Sequence, residues 1–418
     1  MPEVRFNGFA DSWEQRKLGD EFVFLRNNTL SRAELSDDEG STFDVHYGDV
    51  LIKYGSIIDL ENERLPRIAS DDVASTLSCD ALQNGDVVIA DTAEDDTTGK
   101  CSELHNSSGK TVYSGLHTIP CRPVRKYAPG FLGHYLNTPA FHDQLIPLMQ
   151  GIKVIAISKS AISDTTLTVP SIGEQAKISA MLTGIDNLSA LHRQELEKLI
   201  HFKQSMLDKM FPCNDADVPE IRFQGFDGEW ASAVLGDIAT FSKGHGYSKS
   251  DLTNSGNPIV LYGRMYTNYQ TEITEVDTFV EDVQPGSVLS RGNEVIIPGS
   301  GETTWDIACA SVVGKNNIVL GGDLNIIYPP TSLLPVFLAM ELSTGECKKA
   351  LAVRAQGATV AHIHNDDIAE VIVKYPSLAE QQEIADFFRN LDSLISARQQ
   401  ELNKLKQLKQ AFLQKMFV

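Results

Sequence analysis

The 418-residue chain lacks several things. No stretch approaches the ~18 consecutive apolar residues of a membrane span, so no membrane association is expected. Its six cysteines (Cys79, Cys101, Cys121, Cys213, Cys309 and Cys347) are scattered without a C-x-x-C pair. Zinc and a disulfide framework are therefore unsupported, and reduced thiols fit best. No G-x-x-x-x-G-K-[ST] occurs, which excludes the phosphate-cradling loop of an ATP-driven motor. The opening "MPEVRFNGFADSWEQRKLGD" has no basic stretch followed by an apolar one. It does not read as a signal peptide, and a cytoplasmic protein is expected. Positive charge is scarce: 36 Lys and Arg against 56 Asp and Glu leave a net charge of -20. That sum argues against a nucleic-acid partner, because neutralising phosphates needs a basic face. A total hides local patches, however, and a subunit of an assembly need not supply every cation.

What is present is a sequence written twice. "PEVRFNGFADSWEQRKLGD" at residues 2–20 returns as "PEIRFQGFDGEWASAVLGD" at 219–237, an offset of 217. "QGIKVIAISKSAISDTTLTVPSIGEQAKI" at 150–178 returns as "QGATVAHIHNDDIAEVIVKYPSLAEQQEI" at 356–384, an offset of 206, and the match runs on to Phe211 and Phe417. The middle of the first copy is longer by the difference. Strand signals lie in "DVLIKY", "GDVVIAD", "EVIIPG" and "AEVIVKYP", and short helices in "GFLGHYLNT" and "PVFLAMELSTG". Each copy thus reads as a globular domain followed by a long helix: domain 1–170, helix 171–211, polar linker 212–218, domain 219–376 and helix 377–418.

Both helices follow a proline, Pro170 or Pro376, with Ser171 and Ser377 as N-caps and Glu174 and Glu380 completing a capping box. Apolar residues recur every three or four positions: Ile178, Leu182, Ile185, Leu188, Leu196, Leu199, Phe202, Met206 and Met210 in one, and Ile384, Phe388, Leu391, Leu394, Leu402, Leu405, Leu408, Phe412 and Met416 in the other. Two ordinary core helices, each on its own domain, would satisfy this pattern. Matched length and register favour a mutual antiparallel pair. The expected fold class is α+β: two repeated mixed α/β globular domains separated by two long antiparallel coiled-coil helices, with a pseudo-two-fold axis. Such symmetry suits duplex DNA with two separated half-sites.

The helix openings "VPSIGEQAKI" and "YPSLAEQQEIADFF", the phrase "QGATVAHIHNDDI", the endings "MLDKMF" and "FLQKMF", and the paired starts "FADSWEQRKLGD" and "FDGEWASAVLGD" resemble the specificity subunits of type I restriction–modification enzymes. The resemblance covers nearly the whole chain; it departs mildly where Val169 or Tyr375 precedes the helix proline and where Gly173 stands in the first helix. It implies that the globular domains are target recognition domains, each reading one half of a bipartite DNA sequence. The helices would be spacers that set the gap and dock two DNA adenine methyltransferase subunits, with two restriction subunits joining. Catalysis, S-adenosylmethionine, ATP and Mg would then belong to those partners, and none of these cofactors to this chain. In agreement, the sole Pro-Pro, "YPPT" at 328–331, lacks the polar lead and closing aromatic of a [DNS]-P-P-[YF] base-holding loop.

Residues able to reach base edges or phosphates are sought in the variable middle of each copy. The first offers Lys53, Tyr54, Ser56, Thr97, Thr98 and Lys100. The second offers Lys243, His245, Tyr247, Ser248, Lys249, Arg264, Tyr266, Asn268, Gln270, Ser300, Thr303, Thr304 and Trp305. Tyr47-Gly48 and Tyr262-Gly263 suggest an equivalent loop, and Gly299-Ser300-Gly301 a phosphate cradle. His362, His364, Asp366 and Asp367 form a weak metal motif that the first copy lacks; no metal is expected. A scaffold or decoy subunit that no longer reads DNA is the alternative, favoured by the acidity and opposed by the Gly-rich basic loops. A hydrolase built on a Cys or His nucleophile has no supporting constellation.

Overall fold

The computed structural model describes residues 1–213, 216–357 and 359–418, so part of the linker and Ala358 of the second junction phrase lie outside the described residues. The chain divides into two compact units. One is Met1–Arg193 with Gln400–Val418, and the other is Gln194–Gln399. The long helices Ile172–Met210 and Leu378–Lys415 are continuous, and each contributes a part to both units.

In the first unit a five-stranded sheet runs in the order Phe22–Phe24, Thr118–Pro123, Val87–Ala90, Cys101–His105, Ile57–Asp59. Its pairs are antiparallel except the last. The second unit repeats this with Thr240–Lys243, Leu324–Tyr328, Glu294–Pro298, Ser311–Val313 and Glu272–Ile273, again with only the last pair parallel. The central strands read as unbroken apolar runs because both faces are covered. Val87 and Ile89 enter one core cluster, while Val88 and Ala90 enter another. Val295 and Ile297 are likewise divided from Ile296.

The segment "DVLIKY", read as a strand, belongs instead to the helix Tyr47–Ile52. The His46 ring accepts the Gly48 amide at its N-cap, and Val50 and Tyr54, four residues apart, are the positions that are buried. Tyr47-Gly48 and Tyr262-Gly263 are equivalent, but each opens a short helix, Tyr47–Ile52 or Arg264–Thr267, rather than a loop.

The repeated motifs form one frame, built twice. Glu14–Lys17 pairs antiparallel with Thr166–Val169, and Ala231–Val234 with Ile372–Tyr375, so each domain's start is bonded to the strand that enters its helix. Gly19 and Gly236 allow close approach there: a Cβ would lie 3.1 Å from the Ser163 carbonyl oxygen, or 2.9 Å from the Ala369 Cβ. The capping box is only half made. Ser171 and Ser377 accept the Glu174 and Glu380 amides at 3.4 Å. The carboxylates go elsewhere: Arg5 grips Glu174 with two bonds of 2.9 and 2.7 Å, and Arg222 grips Glu380 at 2.6 and 2.7 Å. The following Gln175 donates to the Pro170 carbonyl and accepts the Ala128 amide. Gln381 does the same with Pro376 and Leu334.

Within each unit, stretches of the two long helices lie side by side in reverse. In the first, Asp186 pairs with Lys409 and His192 with Glu401. In the second, Asp392 pairs with Lys203 and Arg398 with Glu195. Partners climb one helix as they descend the other, and the offset of 206 carries one set onto the other. Each copy's helix end packs into the domain of the other copy. Phe417 sits 6.2 Å from Trp13, edge to face, in the first unit; Phe211 sits 6.2 Å from Trp230, edge to face, in the second. The Val4 and Ile221 amides tie these ends down through the Lys415 and Lys209 carbonyls.

Of the predicted stripe, Ile178, Leu182, Ile185, Ile384, Phe388 and Leu391 are buried, and Leu199, Met206, Leu405 and Phe412 are half-buried. Leu188 and Leu394 correct that expectation. They are 43% and 53% exposed and face away from the seam, at equivalent positions of the repeat. Phe202 and Leu408 are also exposed, each at 45%.

Candidate nucleic-acid interface

In each unit the frame brings a polar loop against the repeated segment that opens the helix-entry phrase. Thr92–Ala93 pairs with Ile155–Ala156, and Ser300–Gly301 with Ala361–His362. The polar loops 94–100 and 302–306 are thereby fixed beside the hairpin 150–156 and the bridged pair Gln356 and His362. Each of these carries a glycine after its first residue. Gly151 and Gly357 have φ of 124° and 131°, and a Cβ on either would meet the carbonyl oxygen three residues on at 1.9 Å.

The candidate contact residues divide by burial. Lys53, Thr97, Lys243, His245, Ser248, Lys249, Asn268, Gln270, Thr303 and Trp305 are exposed, and Ser56, Tyr247, Tyr266 and Thr304 are half-buried. Four candidates are corrected. Tyr54 is a core residue at 2% exposure. Thr98 is fully buried, its hydroxyl donating to the Asp95 and Ile155 carbonyls. Ser300 is buried and donates to Asp323. Arg264 is buried against Asp277, Gln270 and the Glu275 carbonyl, so it props its own loop. Lys100 is half-buried, donating to the Leu51 carbonyl, and burial lowers its pKa. The glycine cradle is corrected too: the Gly299 amide is spent on the Asp323 carbonyl, and Gly301 lies in a strand. His364 caps a short helix with Asp367, and no metal-holding group of His, Cys, Asp and Glu occurs among the described residues.

Two cationic edges remain. In the first unit Lys53 donates to the Arg64 carbonyl, which sets it beside the exposed Arg64 that sequence reasoning passed over. Burial pushes the neighbouring Glu63 carboxyl up to about 7, which removes part of the negative charge there near neutral pH. In the second unit Lys243 ends a strand and Lys249 opens a 3-10 turn. Between them Tyr247, at a left-handed φ of 58°, bonds Ser287 and accepts the Gln284 amide. The exposed Arg291 lies over the ring of Tyr328, which pairs with Thr240 at the other end of that strand from Lys243, and was also missed. No sequence pattern marks Arg64 or Arg291; only their exposure does.

A frame repeated residue for residue, carrying polar loops that differ between copies, is the build of a recognition protein with two non-identical reading heads. Comparison with known proteins gives it a family. The Type I restriction modification DNA specificity domain matches residues 10–201 and again 227–407, and the chain belongs to that family. It therefore carries two DNA specificity domains. The "Putative type I restriction enzyme MjaX specificity subunit" of Methanocaldococcus jannaschii is 20% identical over 96% of this chain and 91% of its own length. The "Type I restriction enzyme MjaVIII specificity subunit" of the same organism is 18% identical over 62% of this chain, and the match spans 63% of that relative. In fold the chain is similar to the type I restriction–modification S subunit of M. genitalium: TM-score 0.58 at 14% identity, covering 100% of this chain and 99% of the other.

Proposed function

We propose that this chain is the sequence-recognition subunit of a type I restriction–modification complex in the cytoplasm, with each unit reading one half of a bipartite, asymmetric DNA target and the helices setting the gap. The observation that carries this reading is the contrast between an identical frame and unlike loops. Equal heads would read equal half-sites; heads bearing Lys53 and Arg64 on one side and Lys243, Lys249 and Asn268 on the other read different ones. Two DNA adenine methyltransferase subunits dock on the helices, supported by the exposed Leu188 and Leu394, which are equivalent positions of the two copies. Methylation and cleavage reside in the methyltransferase and two restriction subunits, with S-adenosylmethionine, ATP and Mg. No helix among the described residues is long and apolar enough to cross a membrane.

Long-read methylation mapping of the host genome is the direct test. A two-part motif with a methylated adenine in each half is expected, and replacing residues 1–163 by another such domain changes one half only. Modification of no defined motif by the reconstituted complex would establish a scaffold or decoy instead. Because the net charge is -20, the isolated chain should bind DNA weakly in a filter-binding titration and tightly only with its methyltransferase partners.

A further inference from the structure

The second unit contains an open cleft of about 800 Å³ whose walls include Tyr266, Tyr269 and Trp305 and whose rim carries Lys203, Lys348 and Lys349. Trp305 is 53% exposed, with the Lys348 ammonium 5.0 Å from its ring centroid. The ring is held out by a closed turn: Thr303 donates its amide and hydroxyl to Asp306, and the Asp306 amide returns to the Thr303 hydroxyl. The lysines are not equivalent. Lys203 is bound to Asp392 and Lys349 to Glu346, whereas Lys348 pairs with no carboxylate among the described residues. Two acids also line the cleft, but Asp306 is occupied by the Thr303 turn and Asp208 by Gln204.

The first unit has no such place. At the offset that aligns Thr97-Thr98 with Thr303-Thr304, Gly99 stands where the second copy has Trp305. A Cβ on Gly99 would come within 2.6 Å of Leu145 Cδ1 and 3.6 Å of His142 Nε2, so the equivalent space is filled.

We propose that this cleft binds a single nucleotide, its base stacked among Tyr266, Tyr269 and Trp305 and its phosphate facing Lys348. Exposed rings take any base face, and an unneutralised ammonium in an acidic protein recruits phosphate. The ligand is either a free nucleotide or an unstacked nucleotide of a DNA strand, and the site is one per chain. The second source rests on the DNA-reading function; the first does not.

The experiment titrates the full-length chain with dAMP, and separately with a duplex carrying one unpaired 2-aminopurine, following tryptophan and 2-aminopurine fluorescence. Saturable quenching with one site per chain is expected in at least one arm. Trp305→Leu should weaken binding about tenfold or more, read by 2-aminopurine or, for dAMP, by calorimetry, while Trp305→Phe keeps it within a few fold. Lys348→Gln should weaken it severalfold and flatten its salt dependence. Circular dichroism checks that each variant folds. Binding only of dAMP identifies a free-nucleotide site, and binding only of the duplex identifies a strand nucleotide. No saturable binding in either arm, or unchanged affinity in Trp305→Leu, overturns the proposal. Either result leaves the methylation-mapping test of the recognition function standing on its own.

Discussion

The two units share a skeleton and differ in skin. Trp13 and Phe417 meet as Trp230 and Phe211 do, and Arg5 holds Glu174 as Arg222 holds Glu380. The loops obey no such rule. Gly99, packed under Leu145, answers to the exposed Trp305, and the buried Asp44 answers to the buried Ile259. What is repeated builds the protein, and what differs is free to read DNA. The comparison can be broken most forcefully at its aromatic plugs. Phe417→Ala should destabilise the first unit, and Phe211→Ala the second, each by about 3–5 kcal/mol through the cavity left in a packed core. Hydrogen exchange mapped along the chain checks this. Loss of protection in the wrong unit would mean that each helix end serves its own copy's domain.

The ion clamps come next. Glu174 and Glu380 are each 1% exposed, so Arg5→Ala or Arg222→Ala strands a buried carboxylate at a cost of about 3–5 kcal/mol. Lysine should not rescue, because the grip is a two-pronged guanidinium fork. Denaturant melts of both variants should show similar losses. A large loss in one and none in the other would end the equivalence of the frames.

Each unit also buries an acid whose pKa is pushed up by burial. Burial pushes the Asp44 carboxyl from 3.8 up to about 7, and Glu341 from 4.5 up to about 7. Between the unfolded and folded values the folded state keeps a proton that the unfolded state has released. The stability contribution is thus whole below about pH 4 and is lost as pH rises to about 7. Asp44→Asn in the first unit and Glu341→Gln in the second should each raise stability at pH 8 by at most about 3–4 kcal/mol, at ~1.36 kcal/mol per pH unit, and change little at pH 4. Thermal melts at the two pH values decide it.

How much of this could be read from residues alone follows the same division. The frame was legible because it is stated twice: strand entry, helix opening and helix end recur at fixed offsets, and coincidence does not repeat over so many positions. The reading surface was not. Thr98, Ser300 and Arg264 carry the chemistry of DNA contacts, but distant partners bury them: the Ile155 carbonyl, Asp323 and Asp277. Side-chain type says nothing of such long-range company. The helix at 47–52 was hidden because Val50 and Tyr54 sit in a short β-branched run whose spacing was read with the wrong period. Leu188 and Leu394 fit the apolar stripe by count yet turn outward, since a long helix drifts around its partner and a stripe of three-four steps is wider than one seam.

The smallest expected effect gives the sharpest comparison. On the helix seam Lys409 pairs with Asp186 in the first unit, at 24% and 35% exposure, and Lys203 with Asp392 in the second, at 19% and 42%. Solvent screens pairs this open, so each is worth about 0.2–1 kcal/mol. Lys203→Asp alone places like charges together and should weaken the second unit by about that amount; adding Asp392→Lys should restore it. The same exchange of Lys409 and Asp186 should give the first unit a coupling energy equal within about 0.5 kcal/mol. Agreement between two double-mutant cycles on unlike sequence neighbours would show that the seam is one interaction used twice. Failure of Asp392→Lys to restore Lys203→Asp would mean that these two residues are not partners across the seam and would end the comparison.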